Sequence, residues 1–241
     1  MKYAVISDIH GNAAALEAVL EDIAAQNVGK IISLGDNIGY GPEPERVIKL
    51  LKDRGIPSVI GNHELGVMQP EFRPMFNPVA RQSIEMTTAM LSQDSLRYIE
   101  SLDSALVDGE LRFVHGFPPA SPTKYLFEVS PAELQSTLAE SPERICFIGH
   151  THDLEIMVLE NGRLIRSPLV KGVYPIAPEN KYLINAGSVG QPRDINSQSK
   201  YVLYDNETRQ LSVRYVTYNI ADTVRKIYAA GLPEQHALRL L

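Results

Sequence analysis

The feature that most constrains the fold is a short apolar segment followed at once by polar residues, an arrangement that recurs along the chain. Residues 3–7 precede Asp8 and His10, and residues 30–34 precede Asp36. The apolar residues between these two segments have the spacing of one helical face. Strand, helix and strand within about thirty residues predict a right-handed βαβ unit. The polar residues are then expected at the carboxyl ends of the strands, where the sites of open α/β sheets lie.

Asp8 and His10 are separated by a single residue. In an extended backbone, residues two apart project to the same side, so both side chains are expected to face one spot just past the first strand. A carboxylate oxygen and an imidazole nitrogen at this spacing suit a divalent transition metal. Taken alone, the pair does not decide between a metal site and a turn or helix cap.

The same arrangement returns three more times. Predicted strands over residues 58–60, 111–114 and 144–148 are followed by Asn62 and His63, by His115, and by His150 and His152. Five of the six histidines therefore lie at predicted strand ends, a concentration that packing does not explain. The sixth, His236, is interpreted as a structural histidine whose hydrogen bonds are satisfied.

The 241 residues are predicted to form a single domain with a large core. Residues 65–108 depart from the strand pattern and are predicted to be a helical insertion over the strand ends. Residues 155–166 predict a β-hairpin around Asn161 and Gly162, because Asn-Gly favours a tight hairpin turn. A second hairpin is predicted over residues 201–216.

Composition limits the classes of protein that this chain can represent. The net charge of −6 and the absence of a long basic run argue against a nucleic-acid partner. The single cysteine excludes an intrachain disulfide and is typical of a reducing compartment. Neither a signal peptide nor an apolar run of membrane-spanning length is visible. These features predict a cytoplasmic protein without a membrane partner.

Taken together, the motifs resemble the signature of the calcineurin-like metallophosphoesterases. They are Asp8-x-His10, Gly35-Asp36, Gly61-Asn62-His63-Glu64, His115 and Gly149-His150-x-His152, in the family's order. Residues 185–193 resemble the closing segment of small prokaryotic members, which include phosphodiesterases and dinucleoside tetraphosphate hydrolases. The resemblance extends from residue 2 to about residue 193. Glu64 departs from it, since many relatives have Asp there; it is expected to act behind the ligands, with little consequence.

The resemblance implies a four-layer α/β-β/α sandwich, in which two mixed sheets are flanked by helices. It also implies two divalent metal ions: one held by Asp8, His10 and His152, the other by Asn62, His115 and His150, with Asp36 bridging them. A nitrogen-rich donor set favours Mn²⁺, Fe, Zn²⁺, Ni²⁺ or Co²⁺ over Mg²⁺, and Mn²⁺ is the preferred candidate.

The implied reaction is hydrolysis of a phosphate mono- or diester by a hydroxide that bridges the metal ions. The family pattern makes His63 the catalytic residue, which contacts the phosphate or protonates the leaving oxygen. Asn62, His63 and Arg193 are the substrate-binding candidates, although Arg193 could equally form a surface salt bridge. The expected substrate is a small phosphoester, with a nucleotide as one candidate. Tyr40 and Phe117 could stack on a base, but packing is the favoured interpretation.

Two alternatives stay open. One is a Ser/Thr protein phosphatase of the same superfamily. The other is a non-catalytic metal-binding scaffold, which the presence of all ligand positions and of His63 argues against. The residues leave the natural substrate, the preference between mono- and diesters, the physiological metal and the oligomeric state undetermined.

Overall fold

A computed structural model describes residues 1–194 and 196–241 of the chain. In this part of the chain the α-helices are α1 (Ala13–Ala24), α2 (Pro44–Asp53), α3 (Asn62–Met68), α4 (Pro78–Met90), α5 (Gln93–Glu100), α6 (Pro131–Glu140), α7 (Ile220–Ala229) and α8 (Glu234–Leu238). The strands are β1 (Lys2–Ile6), β2 (Lys30–Ser33), β3 (Ala105–Asp108), β4 (Leu111–Val114), β5 (Ile145–Ile148), β6 (Leu154–Glu160), β7 (Arg163–Pro168), β8 (Gly172–Pro175), β9 (Lys181–Ala186), β10 (Ser199–Asp205) and β11 (Gln210–Val216). Short 3₁₀ helices span Pro70–Met75 and Leu126–Glu128.

The strands form two mixed sheets. The five-stranded sheet has the order β2-β1-β10-β11-β8, in which only β1 and β2 run parallel. The six-stranded sheet has the order β3-β4-β5-β9-β6-β7, with β4, β5 and β9 parallel. Two mixed sheets flanked by helices confirm the predicted fold class. The predicted hairpins are also present, as β6–β7 and β10–β11.

The main core lies between the two sheets, and the alternation of side chains along each strand explains why. In β1, Tyr3 and Val5 pack against the opposite sheet, where Phe113 and Phe147 stack with ring centroids 5.4 Å apart. The side chains between them face the other way, towards α1 and α2. In the second sheet β5 divides its side chains similarly between the inter-sheet core and α6. Period-two alternation in both sheets therefore produces the four layers.

Residues 58–60 do not form the predicted strand. Ser58 and Val59 make only isolated bridges, to Ser33 and Asp103 respectively. The segment is apolar because Val59 is fully buried in the inter-sheet core. Helix α3 begins directly after Gly61 and leaves no length for a ladder. Burial alone therefore produced the pattern that predicted a strand.

Helices α3, α4 and α5 share a small core of their own with Ile38 and Ile48. The predicted insertion over residues 65–108 is thus helical as far as Glu100, but its last four residues form strand β3, which pairs with β4. The division into one domain with an insertion stays a prediction.

The C-terminal helices α7 and α8 pack on α4. Ile227, Leu232, Ala237 and Leu240 form a cluster that Met86 and Met90 of α4 extend. This packing is accompanied by a contact of His236 in α8 with Tyr40, in the loop that follows β2. Among the described helices, none is long and apolar enough to cross a membrane.

Candidate metal centre

The polar residues that follow the strands converge on one buried cluster. Its first group joins Asp8, His10 and His152. The Nε2 atom of His152 lies 3.2 Å from Asp8 Oδ1 and 3.0 Å from His10 Nε2, while His10 Nε2 is 3.8 Å from Asp8 Oδ1. All three side chains are almost inaccessible to solvent. One ion could therefore contact all three atoms.

A second group lies beside the first. His115 Nε2 is 3.0 Å from Asn62 Oδ1 and 3.1 Å from His150 Nδ1. Asp36 lies between the two groups, because its Oδ2 atom is 3.3 Å from His115 Nε2 and 3.8 Å from His10 Nε2. The other oxygen of Asp36 accepts the backbone N–H of His63 at 2.8 Å. The structure thus brings together all seven residues predicted to hold metal, with Asp36 between the two groups.

Each of the four imidazoles in these groups has a backbone carbonyl behind it. The pairs are His10 Nδ1 with Ile38 O, His115 Nδ1 with Leu34 O, His152 Nδ1 with Gln191 O and His150 Nε2 with Thr123 O, at 2.6–3.2 Å. A carbonyl only accepts, so the nitrogen facing it must carry the proton. In the neutral ring the other nitrogen then presents a lone pair to the centre. Such an orienting contact is typical of metal-binding histidines.

When all four rings are neutral, the centre therefore contains acceptor atoms that face one another without protons between them. Asp8 Oδ1 is buried and has no hydrogen-bond partner within the described residues. Leaving a buried carboxylate oxygen unpaired is costly, and two imidazole lone pairs 3.0 Å apart repel. A cation among these atoms removes both penalties. The donor chemistry of the residues present thus fits divalent metal ions.

The backbone at the centre differs from the extended conformation predicted for Asp8 and His10. Strand β1 ends at Ile6, and both residues are left-handed, with φ of 52° and 49°. Asp36, His150 and His152 are left-handed as well, with φ of 50–69°. Such angles are uncommon outside glycine and persist where the surroundings enforce them.

Backbone hydrogen bonds between loops hold these conformations. Asp8 N–H donates to Gly35 O at 3.1 Å, and His10 N–H donates to Asp36 O at 2.9 Å. Asp8 and His10 therefore converge because two loops are hydrogen-bonded to each other. The alternation of an extended strand, which was the basis of the prediction, is not the cause.

Glu64 holds the loop that carries Asp36. Its fully buried carboxylate accepts the N–H groups of Asp36, Asn37 and Gly61 at 2.7–2.9 Å. Burial, followed by repulsion from Asp36, raises the pKa of Glu64 to about 7. As expected from the sequence, this residue acts from behind the candidate ligands.

The two aspartates attract positive charge to the centre. Burial alone would lower the pKa of His115, but Asp36 and Asp8 outweigh it and raise that pKa to about 9. Burial would likewise raise the pKa of Asp36, yet His115 and His63 hold it well below its usual range. Without a metal ion, a proton on His115 supplies the charge that the carboxylates require. A bound cation would displace that proton.

His63 differs from the four carbonyl-backed histidines. Its Nε2 lies 3.9 Å from Asp36 Oδ2, while its Nδ1 is buried and has no partner among the described residues. The ring is held by packing against Tyr40 and Phe76, with centroids 4.4 and 5.4 Å away. Gly39 completes the contact, because a Cβ at this position would overlap the His63 imidazole. No carbonyl fixes its tautomer, so the ring is free to carry its proton on either nitrogen.

An open cleft of about 570 Å³ borders the centre at Asn62 and His150. Tyr125 stacks on His150 with centroids 3.6 Å apart, and Phe127 stacks on Tyr125 at 4.7 Å. Arg193 also lines the cleft. It makes no ion pair within the described residues, so the salt bridge considered as its alternative role is not present there.

The other aromatic and histidine candidates, Phe117, Tyr40 and His236, differ in their surroundings. Phe117 is buried in the core beneath α6, in accord with the packing interpretation. Tyr40 packs among histidines and also lines the cleft. His236 stacks on Tyr40 at 4.5 Å, but its buried Nε2 has no partner in the described part of the chain. The interpretation of His236 as a histidine with satisfied hydrogen bonds was therefore wrong.

Several residues of the site were missed from the sequence. Tyr125 has no motif, and only its position in the loop near His115 could have suggested it. Gly149 belongs to the Gly149-His150-x-His152 motif, but its role becomes visible only in three dimensions. A Cβ there would collide with the side chains of Ser7 and Asp8, so glycine lets the two loops meet.

The model of the calcineurin-like phosphoesterase superfamily domain matches residues 1–209. This range contains every candidate metal residue. The chain belongs to the calcineurin-like phosphoesterase superfamily. Members of this superfamily depend on metal ions, in agreement with the donor set described above.

Proteins similar to this superfamily member over nearly its full length are known. A metallophosphoesterase from Sphaerobacter thermophilus is 35% identical, and its crystal structure matches 100% of this chain and 98% of its own with a TM-score of 0.86. An uncharacterised protein of Methanocaldococcus jannaschii is 34% identical over 98% of this chain and 96% of its own length. A hypothetical protein from Pyrococcus horikoshii OT3 shares the fold, with a TM-score of 0.82 at 18% identity over 99% of this chain and 97% of that chain.

Glu64→Gln tests how the Asp36 loop is held. The amide NH₂ of glutamine would face backbone N–H donors, so the free energy of unfolding should fall by about 1–3 kcal/mol. Amide hydrogen exchange should accelerate at Asp36 and Asn37. Urea unfolding and hydrogen-exchange measurements in mildly alkaline buffer, where Glu64 is ionised, would check both effects. Glu71→Gln is the control, because it removes the same charge from an exposed residue. Equal unfolding free energies and equal exchange rates in the two variants would contradict the role of Glu64 in holding the Asp36 loop.

Proposed function

We propose that this protein is a dinuclear metal-dependent phosphoesterase that hydrolyses phosphate mono- or diesters. One divalent ion would be held by Asp8, His10 and His152, the other by Asn62, His115 and His150, and both would share Asp36. The observation that carries this proposal is the set of four imidazoles, each with a carbonyl behind one nitrogen and the other nitrogen turned towards buried carboxylates. No structural role for four such rings explains that common orientation.

The mixture of nitrogen and oxygen donors favours Mn²⁺, with Fe, Zn²⁺, Ni²⁺ or Co²⁺ as alternatives. Two such ions, when bound, would lower the pKa of a coordinated water and withdraw charge from the phosphoryl oxygens. The remaining tasks fall to the residues of the chain. They must orient the ester, exclude bulk water and deliver a proton to the leaving oxygen.

His63 is the proposed proton donor. It is the histidine of the cluster that lacks a carbonyl partner, and its Nε2 atom faces the shared carboxylate of Asp36 at 3.9 Å. Packing by Tyr40 and Phe76 fixes the ring without occupying its nitrogens. Such a histidine contacts the phosphate or protonates the leaving oxygen, as general acid catalysis requires.

The cleft supports a small phosphoester with an aromatic group, of which a nucleotide is an example. Tyr125 and Phe127 form a stacked pair that leads from His150 to the surface, where Phe127 is 71% exposed. An exposed aromatic face beside a phosphate site offers a platform for a planar ring. Arg193 lines the same cleft and adds positive charge for the substrate, whereas the ammonium group of Lys124 is paired with Glu133.

The proposed activity is tested with purified protein, Mn²⁺ and three substrates: bis(p-nitrophenyl) phosphate, p-nitrophenyl phosphate and a phosphoserine peptide. We expect release of nitrophenol from at least one of the small esters, its loss with a chelator and its return with fresh Mn²⁺. Hydrolysis of the peptide alone would favour a protein phosphatase. No hydrolysis at all would contradict the proposal and favour a non-catalytic scaffold.

His63→Gln should retain both metal ions, because this ring is not among the proposed ligands. It should nevertheless lower kcat by about 10²-fold or more, the usual scale for loss of a general acid. Metal content by plasma mass spectrometry and kcat on the better small ester would check the two expectations together. An unchanged kcat would remove His63 from the mechanism, and loss of a metal would instead make it a ligand.

A further inference from the structure

A second cavity of about 230 Å³ adjoins the cleft. We call it the cationic pocket and define it by Arg193, Arg239, His236 and Asn77, which line it. Arg193, Asn77 and Tyr40 line the cleft as well, so the two cavities share a wall.

One aromatic ring separates this pocket from the candidate metal centre. Tyr40 packs on His10 and His63 with ring centroids 4.4 Å away, and it also packs on His236 at 4.5 Å. A substrate seated at the centre can therefore extend into the cationic pocket around this ring.

The charge of the pocket is unbalanced. Neither Arg193 nor Arg239 pairs with a carboxylate among the described residues, and Asp194 instead pairs with the ammonium group of Lys200. Aspartate and glutamate are missing from the residues that line the cavity. The protein as a whole carries a net charge of −6. Two unpaired guanidinium groups in one cavity of an acidic protein will select an anion.

Helix α4 adds to this charge. It begins at Pro78, and Asn77 and Ala80 of its first turn line the pocket. Asn77 satisfies only the N–H of Ala80, at 2.9 Å. The amino end of a thirteen-residue helix carries a partial positive charge, and because Pro78 has no N–H, the uncapped N–H of its first turn is that of Val79; both features favour phosphate.

His236 supplies an independent indication of a ligand. Its side chain is only 6% exposed, and its buried Nε2 lacks a hydrogen-bond partner in the described part of the chain. Polar atoms left unpaired in a folded interior are uncommon and mark a site that something else completes. The residue lines the cationic pocket. It comes from the C-terminal segment, beyond residues 1–209 matched by the superfamily model.

We propose that the cationic pocket binds a distal phosphate, so that the preferred substrates are esters of a polyphosphate chain. This inference rests on the proposed phosphoesterase function. The phosphoryl group that reacts lies at the candidate metal centre, and a phosphate further along the chain lies between Arg193 and Arg239. The aromatic pair of Tyr125 and Phe127 is left to hold the group at the other end of the ester.

Calorimetric titration of the Mn²⁺-loaded protein with inorganic tripolyphosphate and with orthophosphate tests the pocket. The wild type should bind tripolyphosphate more tightly. Arg239→Gln should lower this preference about tenfold, the loss expected when one charge-assisted contact is removed. Arg193→Gln is a second variant with the same expectation. Arg163→Gln is the matched control, because Arg163 is exposed on β7 outside both cavities and should leave the preference unchanged.

An unchanged preference in both Arg239→Gln and Arg193→Gln, with native melting temperatures, would overturn the inference. Hydrolysis of bis(p-nitrophenyl) phosphate by the wild type reports separately on the proposed function, because this ester has a single phosphate. If the ester is hydrolysed but neither arginine variant changes the preference for tripolyphosphate, only the proposed role of the cationic pocket is rejected. Absence of hydrolysis would reject the proposed phosphoesterase activity. A tenfold loss of the preference for tripolyphosphate in the arginine variants would still establish the pocket as a polyphosphate site.

Discussion

Hydrogen bonds from imidazoles to backbone carbonyls are the interaction on which this site depends. The carbonyls of Leu34, Ile38, Thr123 and Gln191 each fix one ring nitrogen as a donor and leave the other as an acceptor. These carbonyls belong to loops, and the left-handed backbone of Asp8 and His10 exists because the same loops are hydrogen-bonded to each other. The orientation of the candidate ligands is therefore set before any ion arrives, which reduces the free energy needed to organise the site.

Different layers of the molecule serve chemistry and recognition. The two sheets deliver most of the candidate ligands through loops at their strand ends, and Asn62 comes from the start of α3. The side chains around the cleft come mainly from α3, the segment between α3 and α4, and the loop before α6. The C-terminal helices complete the cationic pocket by packing α8 beside α4. Substrate selection can thus change in these added elements while the candidate metal centre stays the same.

The sequence predicted the fold and the residues of the centre more fully than it predicted their conformations. Asp8 and His10 carry the right chemistry, but their convergence arises from contacts between loops that local spacing does not reveal. Val59 looked like part of a strand because it is buried. No local signal in the sequence distinguishes a short buried loop from a short buried strand. His236 looked structural because its contact with Tyr40 joins distant parts of the chain. The unpaired charges beside α4 likewise appear only once the helices are packed.

The central claim is that one buried cluster holds two cations with Asp36 between them. Anomalous diffraction from crystals grown with Mn²⁺ tests it most directly. We predict two manganese peaks, one among Asp8, His10 and His152 and the other among Asn62, His115 and His150, each in contact with Asp36. A single peak, or peaks away from these side chains, would contradict the account.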